Sequence, residues 1–264
     1  AGEADFLVSV PFDAVEDLKK FNFNVEKIPS LEVQFLVFNV GSDFMSKVKN
    51  RQAISLAVDR ESLVNSLGEY STSVKQYVSN GVFGFNPEIS QPRFDLKEAK
   101  NLLLATNSQD DVLKFHLPKG LDLLGELLRT RLNKIGINLV VSYLDNEKLF
   151  ESLEKKDADI YFLGFKEDLG DSLNFLTTMV KTNGVFNVGG YSSKTVDALI
   201  VKSEVEMDQL KRLEQMQEAM KIISEVDFFG VPLFEYDTLY SFDDRFDFNP
   251  RIDGYFYFDD LIVK

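Results

Sequence analysis

Three carboxylates crowd one short turn in the stretch GFKEDLGDSLNFL, residues 164–176: Glu167, Asp168 and Asp171. The turn follows directly on the apolar run Ala158-Asp159-Ile160-Tyr161-Phe162-Leu163, whose composition reads as a strand. Beyond it the chain becomes apolar again at Leu173 and reads as a helix. Asp171 or Ser172 stands where a side-chain oxygen can cap the free N–H groups of that helix near Asn174 and Phe175. A carboxylate not needed for the cap can hold the positive end of a ligand through a charge-assisted hydrogen bond. On this division Asp171 caps, Glu167 is solvated, and Asp168 is the one placed to meet an ammonium group.

Enzyme chemistry finds little support elsewhere. The patterns GxSxG, GxGxxG and GxxxxGK[ST] do not occur. There is no cysteine, which excludes thiolate catalysis, Cys-ligated metal and disulfides. The single histidine, His116, lies in VLKFHL beside Lys114. One imidazole without converging partners reads as a partly exposed strand residue, not as a general base or metal ligand. The adjacent pairs Asp110-Asp111, Asp243-Asp244 and Asp259-Asp260 point apart on regular elements and read as solvated surface. No catalytic residue, metal site or cofactor is assigned, and the chain is read as a non-enzyme.

The bulk properties narrow the partners. With 29 basic against 43 acidic residues, the net charge of −14 argues against nucleic acid or an anionic membrane surface. It permits a cationic or zwitterionic ligand. No apolar run approaches the ~20 residues of a membrane span, and AGEADF at the start lacks the basic and apolar regions of a signal peptide. Among 24 Phe and 9 Tyr, the cluster Tyr255-Phe256-Tyr257-Phe258 reads as strand packing into a core.

The elements that must position these residues follow from periodicity. Val112–Leu117 reads as a strand, and the segment from Leu121 to Ile135 as an amphipathic helix with Leu124, Leu127, Leu128 and Leu132 on one face. Gly136 supplies the left-handed stop, Ile137–Tyr143 a β-branched strand, Asn146–Leu153 a helix and Ala158–Gly164 the third strand. Strand and helix in alternation predict a βαβαβ unit with parallel pairing, hence an α/β lobe. Helices are also expected over Arg51–Leu67, broken near Asp59, over Lys194–Lys202, and over Asp208–Val226. The runs 32–40, 230–236 and 254–260 read as strands, the first two flanking the α/β part as a pair of crossing strands.

Several stretches together resemble the extracytoplasmic solute-binding proteins of ABC importers, in the family that includes oligopeptide- and dipeptide-binding proteins. The residues that carry the resemblance are Val37-Phe38-Asn39, RQAISLAVDRESLV (Arg51–Val64), FDLKEAKNLL (Phe94–Leu103), RLNKIGINL (Arg131–Leu139), ADIYFLGFKEDLGDSLNF, GYSSKTVDALI (Gly190–Ile200), and the long helix leading to Val231-Pro232-Leu233-Phe234. The blocks fall in family order over nearly the whole chain. They match only the later part of a longer family pattern, in which AGEADF resembles a step late in the first lobe.

The resemblance implies a periplasmic-binding-protein-like α/β lobe with the tail of a second, mostly missing one. Residues 1–35 would end the first lobe, 36–43 form a hinge strand, 44–229 the second lobe, 230–236 the return strand, and 237–264 the return to the first lobe. It implies that Asp168 pairs with the α-ammonium group of a peptide, with Gly164 and Phe165 at the adjoining backbone. Phe165 replaces the family tryptophan, and Ser172 the proline that follows Gly-Asp. Tyr191 matches the family Gly-Tyr position at a pocket rim or in the core. Lys119, in the loop Leu117-Pro118-Lys119-Gly120, could meet a ligand carboxylate, although no motif fixes it. The implied partners are a peptide or small solute and the permease subunits of an ABC importer. The implied location is periplasmic or extracytoplasmic, with lipid anchoring through an absent N-terminal part as one option. The same scaffold would also serve an oligosaccharide or a nickel chelate, and a non-transport interaction module is the remaining alternative.

Overall fold

The computed structural model describes residues 4–90 and 93–264. The first three residues of AGEADF therefore lie outside the described residues. The chain opens with β1 (Phe6–Val8), α1 (Val15–Lys20) and the 16-residue β2 (Phe23–Phe38). Then come α2 (Val48–Ala57), α3 (Arg60–Leu67), β3 (Ser71–Ser73) and α4 (Leu96–Ala105). The break expected near Asp59 is real: its carboxylate accepts from the Ser62 N–H at 3.1 Å and starts α3.

The alternating unit follows as β4 (Val112–Pro118), α5 (Asp122–Asn133), β5 (Asn138–Leu144), α6 (Asn146–Lys155) and β6 (Ile160–Lys166). β4 lies between β5 and β6 and is parallel to both, as the alternation requires. Gly136 has φ +90°, the left-handed stop after α5. Past the acidic turn, α7 (Leu173–Phe175) runs into a π-helical turn, Leu176–Val180. Ser193 caps α8 (Lys194–Val205), and Asp208 caps α9 (Gln209–Lys221), which ends in a second π-helical turn, Ile222–Val226. β7 (Gly230–Asp243), β8 (Phe246–Phe248) and β9 (Leu261–Val263) close the chain.

The main sheet has the order β1-β7-β2-β6-β4-β5, with β3 also on β7. β2 is antiparallel to both β6 and β7, so its second half is central and covered on both faces. That burial explains the unbroken apolar run in EVQFLVFNV. Leu36 and Phe38 point into a core with α2, α4 and α5, while Val33, Phe35 and Val37 point into another with Phe175, Met216 and Met220. The first half of β2 pairs with β7 alone as a ribbon, where charged and polar residues alternate with partly buried ones. Register slips between Pro29 and Val33, where Leu31 takes φ +57°.

One strand expectation is corrected. Residues 254–260 are not a strand: only Leu261–Val263 pairs, with β8. Phe256 packs on Phe6 and Phe248, but Tyr255, Tyr257 and Phe258 are exposed. Strand pairing needs an available edge, and at this end β8 offers only three residues.

Candidate functional site

β6 delivers the acidic turn at the carboxyl end of the parallel strands, where open α/β sheets carry their ligands. Gly164 faces Gln34 across the sheet. A Cβ there would come within 2.6 Å of Glu32 Oε1 and 2.7 Å of Gln34 Nε2, so a larger residue would have to displace these two side-chain ends. Gln34 donates to Glu32 at 2.7 Å, holding both side chains over that position. Phe165 is half-buried and meets Phe175 edge to face, with 5.2 Å between centroids.

The three carboxylates divide differently from expectation at one residue. Asp171 supports the helix start, though at Leu173 and not at Asn174 or Phe175, and from one position before the N-cap residue Ser172: Oδ1 accepts from the Leu173 N–H at 2.9 Å and Oδ2 from Arg212 at 2.6 Å. Ser172 makes no cap; it is buried, its hydroxyl 3.7 Å from Met216 Sδ. Asp168 lies on the turn with its side chain 61% exposed, in a long ion pair with the Lys166 ammonium at 3.8 Å. Glu167, however, is not solvated but 2% exposed. Its N–H donates to the Leu31 carbonyl at 3.0 Å, where β2 slips register. Oε1 accepts from the Leu169 N–H at 3.0 Å and from Asn174 at 3.4 Å, while Oε2 is buried with no partner. Glu167 thus pins the turn that presents Asp168.

Burial pushes the Glu167 carboxyl above its ordinary value of 4.5. A raised folded-state value means that the folded protein binds the proton more tightly than the unfolded chain does. The stability this contributes is fully present below pH 4.5 and is lost as pH rises through the raised value. Glu167→Gln, which carries no charge to desolvate, is expected to match wild type near pH 4. At neutral pH it should gain about 1 kcal/mol over it. Urea unfolding of both proteins across that range checks the divergence; parallel curves would show that burial of the charge costs nothing.

Beside the turn lies a cavity of about 530 Å3 whose wall includes Gly164 and Phe165. Phe150 and Leu153 of α6, Met179 and the loop Val185–Val188 also line it. Asn187 holds that last loop: Nδ2 donates to the Tyr191 carbonyl at 2.7 Å and Oδ1 accepts from the Tyr191 N–H at 3.0 Å. These wall residues were missed from the sequence. Their signal was weak: apolar side chains stranded in the glycine-flanked loop GVFNVGG, and Phe150 exposed on the outer side of α6.

The remaining sequence-derived residues sit apart from this wall. Tyr191 is buried in the core against Phe229, its hydroxyl donating to Asp227. Lys119 is exposed and 3.4 Å from Asp145, the residue that caps α6. His116 does meet a serine and an aspartate, but both lie at one nitrogen: Nδ1 is 2.7 Å from Ser152 Oγ and 3.5 Å from Asp157. A nucleophile–base–orienter relay needs the two partners on opposite ring nitrogens. Burial also lowers the histidine's proton affinity. Among the described residues no three His, Cys, Asp or Glu side chains converge for a metal ion, and no helix is long and apolar enough to cross a membrane.

Comparison with known proteins matches residues 1–187 to the model of bacterial extracellular solute-binding proteins, family 5. A probable D,D-dipeptide-binding periplasmic protein of Escherichia coli is 25% identical over 84% of the chain. A probable di/tripeptide-binding protein of Pseudomonas aeruginosa is 27% identical over 85%. The chain spans 45% and 44% of these relatives' lengths. The ABC transporter substrate-binding protein CtaP of Listeria monocytogenes shares the fold, with a TM-score of 0.91 at 20% identity over 99% of this chain and 56% of its own.

Proposed function

We propose, for a chain that belongs to the bacterial extracellular solute-binding proteins of family 5, that it supplies the ligand-contacting lobe of a peptide receptor serving an ABC importer. Support comes from the dipeptide- and di/tripeptide-binding relatives named above. One observation carries the reading: a largely exposed carboxylate, Asp168, paired only loosely with Lys166, follows closely on Gly164 and Phe165, which wall a cavity at the carboxyl end of β6. Asp168 takes the α-ammonium group, and the edge of β6 lies along the peptide backbone. Residues 36–43 and 230–236 connect this lobe to a partner lobe that includes residues 1–35 and 237–264. The two close over the solute by hinge motion, and the closed form is what the permease recognises. The work takes place outside the cytoplasm, and it is capture and delivery without turnover.

Calorimetry on the full-length protein with free and N-acetylated di- and tripeptides tests this reading. Free peptides are expected to bind, and acetylated ones to bind far more weakly, since acetylation removes the charge that Asp168 holds. Equal binding of both sets would exclude the ammonium contact. Tight binding of an oligosaccharide or nickel chelate in place of any peptide would move the protein to another solute class.

A further inference from the structure

The wall beside Asp168 is more selective than a general peptide cleft requires. The cavity of about 530 Å3 lies within the range that encloses a small organic ligand. Its lining is mostly apolar, with Phe150, Leu163, Phe165, Met179 and Phe186 among its members and Glu154, Lys156 and Asn187 as the polar ones. The polar groups are either committed or mutually compensating. Asn187 spends its amide on the carbonyls of Val180, Lys181 and Tyr191 and on the Tyr191 N–H. Glu154 and Lys156 bring opposite charges to the lining, so they do not favour an ionic group of either sign.

Three of the wall residues are exposed although they are large and apolar: Phe150 at 64%, Val185 at 76% and Phe186 at 53%. They come from two separate elements, α6 and the loop before Tyr191, and converge on one space. Exposed apolar side chains scattered singly are ordinary, but a convergent set around a concavity marks a binding surface. Asp168 is not part of the lining, but two of the lining residues, Gly164 and Phe165, stand just before it on the segment that runs from β6 into the acidic turn. An occupant that reaches both Asp168 and the cavity would carry a positive end and, close to it, a bulky uncharged apolar group.

Resting on the peptide reading above, we infer that the cavity is a specificity pocket that selects peptides bearing a large aromatic or branched aliphatic side chain near the N-terminus. A pocket of this kind discriminates by the apolar area it removes from water, so a small side chain leaves it wet and binds weakly.

The test uses four tripeptides on the full-length protein: Ala-Ala-Ala, and the same sequence with Phe at each position in turn. At least one Phe peptide is expected to bind roughly tenfold or more tightly than Ala-Ala-Ala. In Phe186→Glu the ratio should collapse to about one. A wild-type ratio near one, with binding still sensitive to N-acetylation, overturns the pocket while leaving the peptide reading intact. If no peptide binds, the neutral dye N-phenyl-1-naphthylamine decides separately. Its fluorescence gain on wild type and loss in Phe186→Glu support an apolar site, and an identical response in both proteins overturns it.

Discussion

Replacing Asp168 by alanine in the full-length protein is expected to weaken the binding of a free di- or tripeptide by roughly 30-fold or more, with no loss of folding stability. The first part follows from the contact itself. A charge pair closed off from water loses about 2–5 kcal/mol when one partner is truncated, because the ligand ammonium is left desolvated and unpaired. The second part follows from the position of Asp168 in this chain. Its side chain is 61% exposed and its nearest cation, Lys166, is 3.8 Å away, beyond hydrogen-bond reach. Asp168→Asn separates charge from shape: it keeps an acceptor oxygen and should recover only part of the lost affinity. Calorimetry with free and N-acetylated forms of one peptide, on wild type and both variants, closes the cycle. An undiminished affinity in Asp168→Ala would remove the ammonium role from this residue.

How much of this was legible beforehand depends on how far each feature reaches along the chain. The βαβαβ unit was legible because period 2 and period 3.6 are local, and so is the stop that Gly136 supplies after α5; the break at Asp59, outside that unit, was legible for the same reason. Asp171 at the helix start needed only its neighbour Leu173. Glu167 was misread because its burial depends on Leu31, 136 residues away, whose carbonyl is turned to the Glu167 N–H where β2 slips register. No window around Glu167 contains that fact. The first half of β2 escaped for a related reason: a ribbon with one partner lacks the two-sided burial that makes its second half a continuous apolar run. The cavity wall is contributed by 150–156, 163–165, 179 and 185–188, segments brought together only by the sheet order.

Arg51→Met is expected to destabilise the chain by about 3–5 kcal/mol. That is a large share of the roughly 5–15 kcal/mol by which folded proteins exceed their unfolded chains. Arg51 is 5% exposed and sits in α2, in the RQAISLAVDR block. Its guanidinium donates to the carbonyls of Met45 at 2.6 Å, Asp227 at 2.5 and 2.9 Å, and Phe228 at 3.0 Å. The carboxylate of Asp227 in turn accepts from the buried Tyr191 hydroxyl. One side chain thereby joins the approach to α2, the approach to β7 and the loop that forms one wall of the cavity. Phe228 holds φ +48°, a costly conformation for a residue with a Cβ, and Arg51 binds the carbonyl of that same residue. Burial disfavours the charge and lowers the proton affinity of the guanidinium, so an apolar replacement recovers some desolvation energy. Two features make the loss larger than that gain. The stranded partners are backbone carbonyls, which remain in place after the substitution, and the strained turn at Phe228 loses its clamp. Arg51→Lys, which keeps the charge but not the planar fork, should fall between the two. Urea unfolding of the three proteins measures the order; a loss under about 1 kcal/mol for Arg51→Met would mean that desolvation relief and clamp are balanced.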